Sequence, residues 1–193
     1  MDRRLKIQKK IKKGFDKVSV IQKSSLRTEA VFSDDMTHRY ILKKEWDKNK
    51  PKATIIMINP SSANETEVDM TTMNVINNLN RLDYGAVDIV NMFSFICSKI
   101  SMKYSMDELI GDENDIYIEK SALRSDIVII AWGSVGEGVR KIIDRQAEIL
   151  KKLQPFNEKM YVICDPYVNK PMHPLSPRIK QQWRLVKMYN KKQ

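Results

Sequence analysis

The stretch ATIIMINPSSANETEVD, at positions 53–69, decides the fold. An apolar run, 53–58, leads directly into Asn59 and Pro60, and such a continuous run is typical of a β-strand that is covered on both faces. Similar runs and amphipathic helical patterns alternate along the rest of the chain, the runs at 86–93, 126–133 and 159–165 and the helices at 70–82, 115–125 and 137–153. This alternation predicts an α/β fold with a three-layer, doubly wound, mostly parallel four-stranded sheet and helices on both faces.

The outer segments predict additions to this sheet. Apolar residues recur at nearly helical spacing over 5–18, and two short strand patterns, 30–32 and 40–42, are joined by a plausible hairpin connection. We therefore expect an N-terminal helix and a hairpin beside the sheet, and a short basic helix at the end of the chain. In terms of domains, we expect a basic N-terminal extension over 1–25 and a single α/β domain over 26–193.

The net charge of +10 is concentrated at the two ends of the chain. Residues 1–23 carry nine Lys and Arg against two acids, and residues 178–193 carry six against none. Basic ends attract nucleic-acid phosphates with an affinity that salt weakens, or alternatively they only keep a protein dissolved. Under the first interpretation the candidate phosphate contacts are Lys9, Lys10, Lys12, Lys13, Lys170, Arg178 and Lys180.

The composition argues against several classes of protein. No apolar run approaches the roughly 20 residues of a transmembrane helix, and no apolar segment follows the basic N-terminus as in a signal peptide. Two cysteines, Cys97 and Cys164, are too few for a disulfide framework, which favours a reducing, cytoplasmic setting. We expect no membrane contact, no metal site and no cofactor, and the oligomeric state stays open.

The most polar loops follow the four predicted strands. They read INPSSAN, NMFS, AWGSVGEG and CDPYVNKPMHPLSP, and they are rich in Asn, Ser, Gly and Pro. In an open α/β sheet the ligand binds at the carboxyl ends of the strands. The sequence therefore predicts that these loops meet at one rim and that the rim is the ligand site.

Three rim residues are candidates for catalysis. Asn59 precedes a proline, so its amide is presented rather than used in a helix, and it can orient a water or read a base edge. The alternative is a turn in which the amide bonds its own backbone. His173 lies between prolines in a rigid loop, unlike a buried core histidine. Asp69 is either the cap of the next helix or a second polar group at the rim.

Other rim residues are candidates for substrate binding. The two serines after Pro60 and the next backbone amides can hold a phosphate at a helix start, or they only cap that helix. A strand-end amide can read a base edge, and aromatic side chains can stack on a base, although a Trp here can equally belong to the core. The candidates are Pro60, Ser61, Ser62, Asn91, Phe93, Trp132, Gly133 and Ser134.

Several segments together resemble a known domain family. In chain order they are HRYILKKEW, IMINPSSANETEVDMTTMNVI, YGAVDIVNMFSF, GDEND, IIAWG and PMHPLSP. Their order and spacing are similar to the bacterial and phage domain family of unknown function numbered 1643, over roughly 28–187. That resemblance implies membership of the family and no particular activity.

A second, more remote resemblance is to the uracil-DNA glycosylase superfamily, mismatch-specific branch. TIIMINPSSA is similar to its first motif, IVIIAWGSVGEGVRK to its strand that ends in a Trp-Gly pair, and MHPLSP to its late His-Pro-Ser loop. The resemblance implies a glycosylase-like fold. It also implies that Asn59 positions the attacking water and that His173 stabilises the negative charge on the leaving base.

Three functional hypotheses follow. In the first, the chain acts on or recognises a base in DNA, including a modified base, and hydrolyses its N-glycosidic bond if it is active, with help from Asp69. In the second, the same pocket binds or processes a free nucleotide or a nucleotide-derived signal. In the third, the chain is a phage- or defence-associated protein that binds a partner without catalysis. Removal of the basic ends would abolish DNA binding under the first hypothesis alone.

Overall fold

The computed structural model describes residues 20–61, 63–97, 100–101, 103–133, 139–165, 172–179 and 182–188. Its strands are β1 (Arg27–Phe32), β2 (Arg39–Glu45), β3 (Lys52–Met57), β4 (Ala86–Asn91), β5 (Ile127–Ile130), β6 (Met160–Cys164) and β7 (Arg184–Lys187). Its helices are α1 (Met70–Arg81), α2 (Met106–Ile110), α3 (Asn114–Arg124) and α4 (Arg140–Lys152), with a 3₁₀ turn at Gln154–Lys159.

The seven strands form one mixed sheet in the order β1-β2-β4-β3-β5-β6-β7. The central strands β4, β3, β5 and β6 are mutually parallel. At one edge β2 pairs antiparallel with β4, and β1 pairs antiparallel with β2. At the other edge β7 pairs antiparallel with β6. The carboxyl ends of the four parallel strands therefore lie at one side of a wider, mixed sheet.

The predicted mostly parallel four-stranded sheet of the glycosylase type was wrong. The four apolar runs do form parallel strands, but three further strands continue the sheet as antiparallel neighbours. An uncovered edge strand presents a row of unpaired N–H and C=O groups, and pairing with an antiparallel strand satisfies them. The hairpin therefore belongs to the sheet instead of standing beside it, because the edge of β4 accepts β2.

The predicted basic helix at the end of the chain was also wrong over its described part. Residues Arg184–Lys187 form β7, in register with Tyr161–Cys164 of β6. Leu185 packs on one of the two apolar clusters of the core, so the segment is held by the sheet. The predicted N-terminal helix, 5–18, lies outside the described residues, and the domain boundary at 25 stays a prediction.

Apolar residues cover both faces of the central strands because their side chains alternate between the faces. One cluster joins Ile56, Val90 and Val128 to residues of α3 and α4, and the other joins Ile55, Ile89 and residues of α1. Among the described helices, none has both the length and the apolar composition that crossing a membrane takes. The two clusters hold the parallel strands rigidly and thereby position the loops at their carboxyl ends.

Candidate functional site

A small cavity of about 60 Å³ lies at the carboxyl end of β3. Three distant segments of the chain meet there: the start of β2, the loop from β3 to α1, and the loop that returns from β6. The cavity brings together all three candidate catalytic residues and a charged residue that sequence reasoning missed, Arg39. It is lined by Arg39, Met57, Ile58, Asn59, Ser61, Asp69, Thr71, Thr72 and His173.

Two hydrogen bonds donated by its amide nitrogen hold the side chain of Asn59. Nδ2 donates to the carbonyl oxygen of Cys97 at 2.5 Å and to that of Pro60 at 3.1 Å. Among the residues that the structure describes, none donates a hydrogen bond to Oδ1 of Asn59. The side chain is therefore anchored on one side, and its oxygen remains an acceptor for a water molecule.

Asp69 caps α1 and also faces the cavity. Its carboxylate accepts hydrogen bonds from the backbone N–H of Thr72 at 2.7 Å and from the hydroxyl of Ser61. Burial raises the pKa of this carboxyl, but the bonds from Ser61 and Thr72 and the charge of Arg39 lower it more, so the pKa lies below its usual 3.8. Both sequence interpretations of Asp69 therefore hold, and it is a charged carboxylate at neutral pH.

His173 reaches the cavity because its loop returns to the sheet. The backbone N–H of Met172 donates to the carbonyl of Ile163 in β6 at 2.8 Å, and Gly133, with φ +62, leaves room for the backbone of His173. Nδ1 accepts from the N–H of Leu175 at 3.2 Å, so Nε2 carries the proton of the neutral ring. Burial lowers the pKa of His173, which keeps the ring neutral near pH 7.

Arg39 is a charged residue of the cavity that the sequence did not reveal. It is only 2% exposed, and Nη1 donates to the carbonyl of Ala63, while Nε has no hydrogen-bond partner among the described residues. Burial lowers the pKa of this guanidinium to about 10, against an opposing effect of the Asp69 charge. The signal in the sequence is a basic residue directly before the apolar run Tyr40–Leu42.

Several predicted substrate-binding residues lie elsewhere. Phe93 and Trp132 belong to the core cluster beside α3 and α4, at 0% and 7% exposure, so neither offers a free face to a base. Asn91 is 1% exposed and does not line the cavity, although neither atom of its amide has a hydrogen-bond partner in the described part of the chain. Pro60 is buried beside Asn59, while Ser61 and Gly133 contribute in the ways given above.

Most of the predicted phosphate contacts cannot be placed. Arg178 is exposed and forms an ion pair with Asp165 at 3.7 Å, away from the cavity lining. The other predicted phosphate contacts and two of the predicted rim serines lie outside the described residues: Lys9, Lys10, Lys12, Lys13, Ser62, Ser134, Lys170 and Lys180.

A larger cavity of about 500 Å³ lies beside His38 and contains five carboxylates. Two of its polar groups have partners: Asp35 accepts from Ser33 and Thr37, and His38 bonds the hydroxyl of Ser94 at 2.8 Å. No group of His, Cys, Asp and Glu within the described segments is arranged to hold a metal ion. Its size alone therefore does not make this cavity the better candidate.

Comparison with known proteins adds a family and no activity. No curated protein gives a significant match, and neither does any solved structure. One family model, described as "Protein of unknown function (DUF1643)", matches residues 39–175, which is more than half of the chain and includes Arg39, Asn59, Asp69 and His173. The chain belongs to this family, DUF1643.

Proposed function

We propose that this protein hydrolyses the N-glycosidic bond between a base and its sugar in DNA. One observation carries the proposal: Asn59, Asp69 and His173, which lie far apart in the sequence, line one cavity at the carboxyl ends of the parallel strands. A volume of about 60 Å³ holds roughly two water molecules at about 30 Å³ each, so an attacking water fits between these side chains.

The three side chains divide the reaction between them. Oδ1 of Asn59 accepts a hydrogen bond from the water and orients it towards C1′ of the sugar. As the O–C1′ bond forms, the C1′–N bond breaks and its electron pair leaves with the base. The carboxylate of Asp69 stabilises the positive charge that develops on the sugar and accepts the proton that the water loses.

His173 acts on the leaving base. Its neutral ring presents Nε2–H, which can donate a hydrogen bond to the base as negative charge develops there. The departing base then takes up a proton from solvent, so the net products are the free base and an abasic sugar. The resemblance of TIIMINPSSA and MHPLSP to glycosylase motifs supports the roles of Asn59 and His173. The glycosylase fold is not part of the proposal.

The test is an abasic-site assay with the full chain. Single- and double-stranded DNA that contains uracil, mismatched thymine or a hypermodified base is incubated with the protein, and alkali reveals abasic sites. We expect Asn59→Ala, His173→Ala and Asp69→Asn each to lower the rate by about 10²-fold or more, the usual contribution of a positioned acid or base. Asn is as good a helix cap as Asp, so Asp69→Asn removes the charge and keeps α1.

Asn77→Ala is the matched control, because Asn77 lies exposed on α1 and outside the cavity lining. It should cleave like the wild type. Product that persists in all three cavity variants would assign the activity to another site or a contaminant. Absence of product on every substrate, even at low salt, would refute the proposal.

A free nucleotide is the second candidate ligand, and the small size of the cavity favours it, because only one group of the ligand has to enter. Binding pockets for whole small molecules usually measure about 300 Å³ or more, so in both proposals the base lies at the mouth of the 60 Å³ cavity. A nucleotide that places only one group there and lies otherwise at the rim would fit the described residues. Binding of nucleoside monophosphates without any DNA cleavage would select this candidate.

A further inference from the structure

Among the described residues, Arg39 is a buried cation without an ion-pair partner. It lies at the start of β2 with 2% of its surface exposed, and its backbone N–H is bonded to the carbonyl of Ser94 at 2.9 Å. Its guanidinium has five N–H donors, and the one hydrogen bond that it makes goes to the carbonyl of Ala63. Within the described part of the chain, no carboxylate lies within 4.0 Å of it.

Lys44, a second buried cation of β2, differs from Arg39 because it does not line the cavity. Lys44 is equally buried at 1% exposure, and its Nζ lies 3.2 Å and 3.3 Å from the carbonyl oxygens of Asn64 and Glu65. Both cations therefore hold the same loop between β3 and α1, but only Arg39 also lines the cavity and keeps unused donors. A buried charge is costly unless it is paired, so these donors call for a partner.

The cavity is suited to a small anion beside Arg39. Its volume of about 60 Å³ is that of roughly two waters, and its lining includes Ser61, Thr71, Thr72 and His173, whose side chains carry hydrogen-bond donors. The negative charge of Asp69 would oppose a second anion, but this carboxylate is already bonded by Ser61 and Thr72. Among the described lining residues, the guanidinium of Arg39 is the charged group that keeps unused hydrogen-bond donors.

We propose that Arg39 binds a phosphoryl group of the ligand in this cavity. A guanidinium presents its donors in a planar fork that matches phosphate oxygens, so one edge can hold Ala63 while another binds the anion. That the phosphoryl group belongs to a nucleotide rests on the proposed function. The group is then either a backbone phosphate next to the target base or the terminal phosphate of a free nucleotide.

The test measures binding of inorganic phosphate to the full chain by isothermal titration calorimetry, at constant ionic strength. We expect Arg39→Met to weaken binding about tenfold or more, since a charge-assisted hydrogen bond is lost. Lys44→Met is the matched control: it removes an equally buried cation from the same strand and loosens the same loop, yet it should weaken phosphate binding far less than Arg39→Met does, because Lys44 does not line the cavity. Asp69→Asn should bind phosphate more tightly, because a repelling charge is removed.

The source of the phosphoryl group is read from three further ligands. If it comes from a free nucleotide, a nucleoside 5′-monophosphate will bind far more tightly than the nucleoside, in a manner that depends on Arg39. If it comes from DNA, a short oligonucleotide will show that dependence and the monophosphate will bind no better than inorganic phosphate. Either pattern supports the phosphoryl site.

Two results would overturn the inference: phosphate binding that Arg39→Met leaves unchanged or that is absent from the wild type, or an equal loss in Arg39→Met and Lys44→Met, which would assign the effect to the loop. These outcomes are separate from those of the abasic-site assay. Phosphate binding that depends on Arg39 in a protein without cleavage would leave the inference standing and remove the proposed hydrolysis. Cleavage that is insensitive to Arg39→Met would leave the proposed hydrolysis standing and remove the phosphoryl site.

Discussion

Two regions of this protein each bury an arginine, and they use it in opposite ways. Arg145, on α4, is 1% exposed, and its Nε and Nη2 both donate to the carbonyl of Met92 just after β4, at 3.1 Å and 3.0 Å. It also pairs with Asp115 and Glu148. Arg39, equally buried, makes one hydrogen bond and no ion pair among the described residues.

The two arginines differ in how many of their hydrogen-bond donors are used and in whether their charge is paired, and not in how deeply they are buried. Arg145 joins α3 and α4 to the end of β4, and its charge is balanced by neighbouring carboxylates, so the folded chain itself accounts for it. Arg39 lines a cavity, and no carboxylate of the described residues forms an ion pair with it, although the charge of Asp69 acts on it from a greater distance. Burial of a charge is therefore a poor indicator of a site, whereas burial without a partner is a good one.

The largest expected effect is on stability, and it can break this comparison. Arg145→Met leaves Asp115 and the carbonyl of Met92 without their main partner, and loss of one member of a buried pair costs about 3–5 kcal/mol. Arg39→Met loses one hydrogen bond but also removes an unpaired buried charge, so we expect a cost of about 1 kcal/mol or less. Urea denaturation without ligand measures both free energies of unfolding.

Arg140→Met is the control for that experiment, since Arg140 is exposed on the same helix. Its free energy of unfolding should stay within about 0.5 kcal/mol of the wild type. If Arg39→Met were as damaging as Arg145→Met, Arg39 would be a structural residue and the contrast between the two regions would disappear.

A smaller effect concerns pH and sharpens the cavity side of the comparison. Burial lowers the pKa of His173, so the unfolded chain takes up a proton more readily than the folded one. The free energy of unfolding should be at its full value above the usual pKa of 6.5 and fall as the pH drops from there towards the lowered pKa. His173→Gln should remove this part of the pH dependence, as measured by urea denaturation across that range. If the free energy of unfolding had the same pH dependence in His173→Gln as in the wild type, His173 would be exposed to solvent.

The smallest effect is expected at a third arginine, which is exposed. Arg178 pairs with Asp165 at 3.7 Å while 66% of its side chain is accessible, so Arg178→Gln should change the free energy of unfolding by less than about 1 kcal/mol. If Arg178 contacts a DNA phosphate, the slope of log affinity against log salt should fall by about one. Fluorescence anisotropy at several salt concentrations measures that slope. No change in the slope would remove Arg178 from the interface.

The local pattern of the strands was sufficient to predict the centre of the sheet. The runs that contain Ile55, Ile89, Ile129 and Ile163 all became strands of that centre, because residues covered on both faces must be apolar throughout. The pattern did not reveal where the sheet ends. Whether β2 stays in a separate hairpin or pairs with β4 depends on which edge is free, and a sequence window carries no information about distant edges.

The same distinction applies to the site. Asn59, Asp69 and His173 were predicted at the rim because they follow predicted strands or precede a predicted helix, and they share the cavity. Phe93 and Trp132 also follow strands but turn into the core cluster, since their large apolar surfaces are better buried than exposed at a rim. Strand ends predict which residues are near a site and leave open which way each side chain points.

By itself, the sequence determined the four parallel strands and the cap of α1 at Asp69, because strand burial and helix capping are governed by residues close together in the chain. Tertiary structure alone decided the seven-stranded mixed sheet and the place of Arg39. Both depend on contacts between distant segments: the pairing of β2 with the edge of β4 places Arg39 next to Ala63 and the cavity. The phosphoryl site rests on a buried guanidinium with unused donors, and that burial exists only in the folded chain.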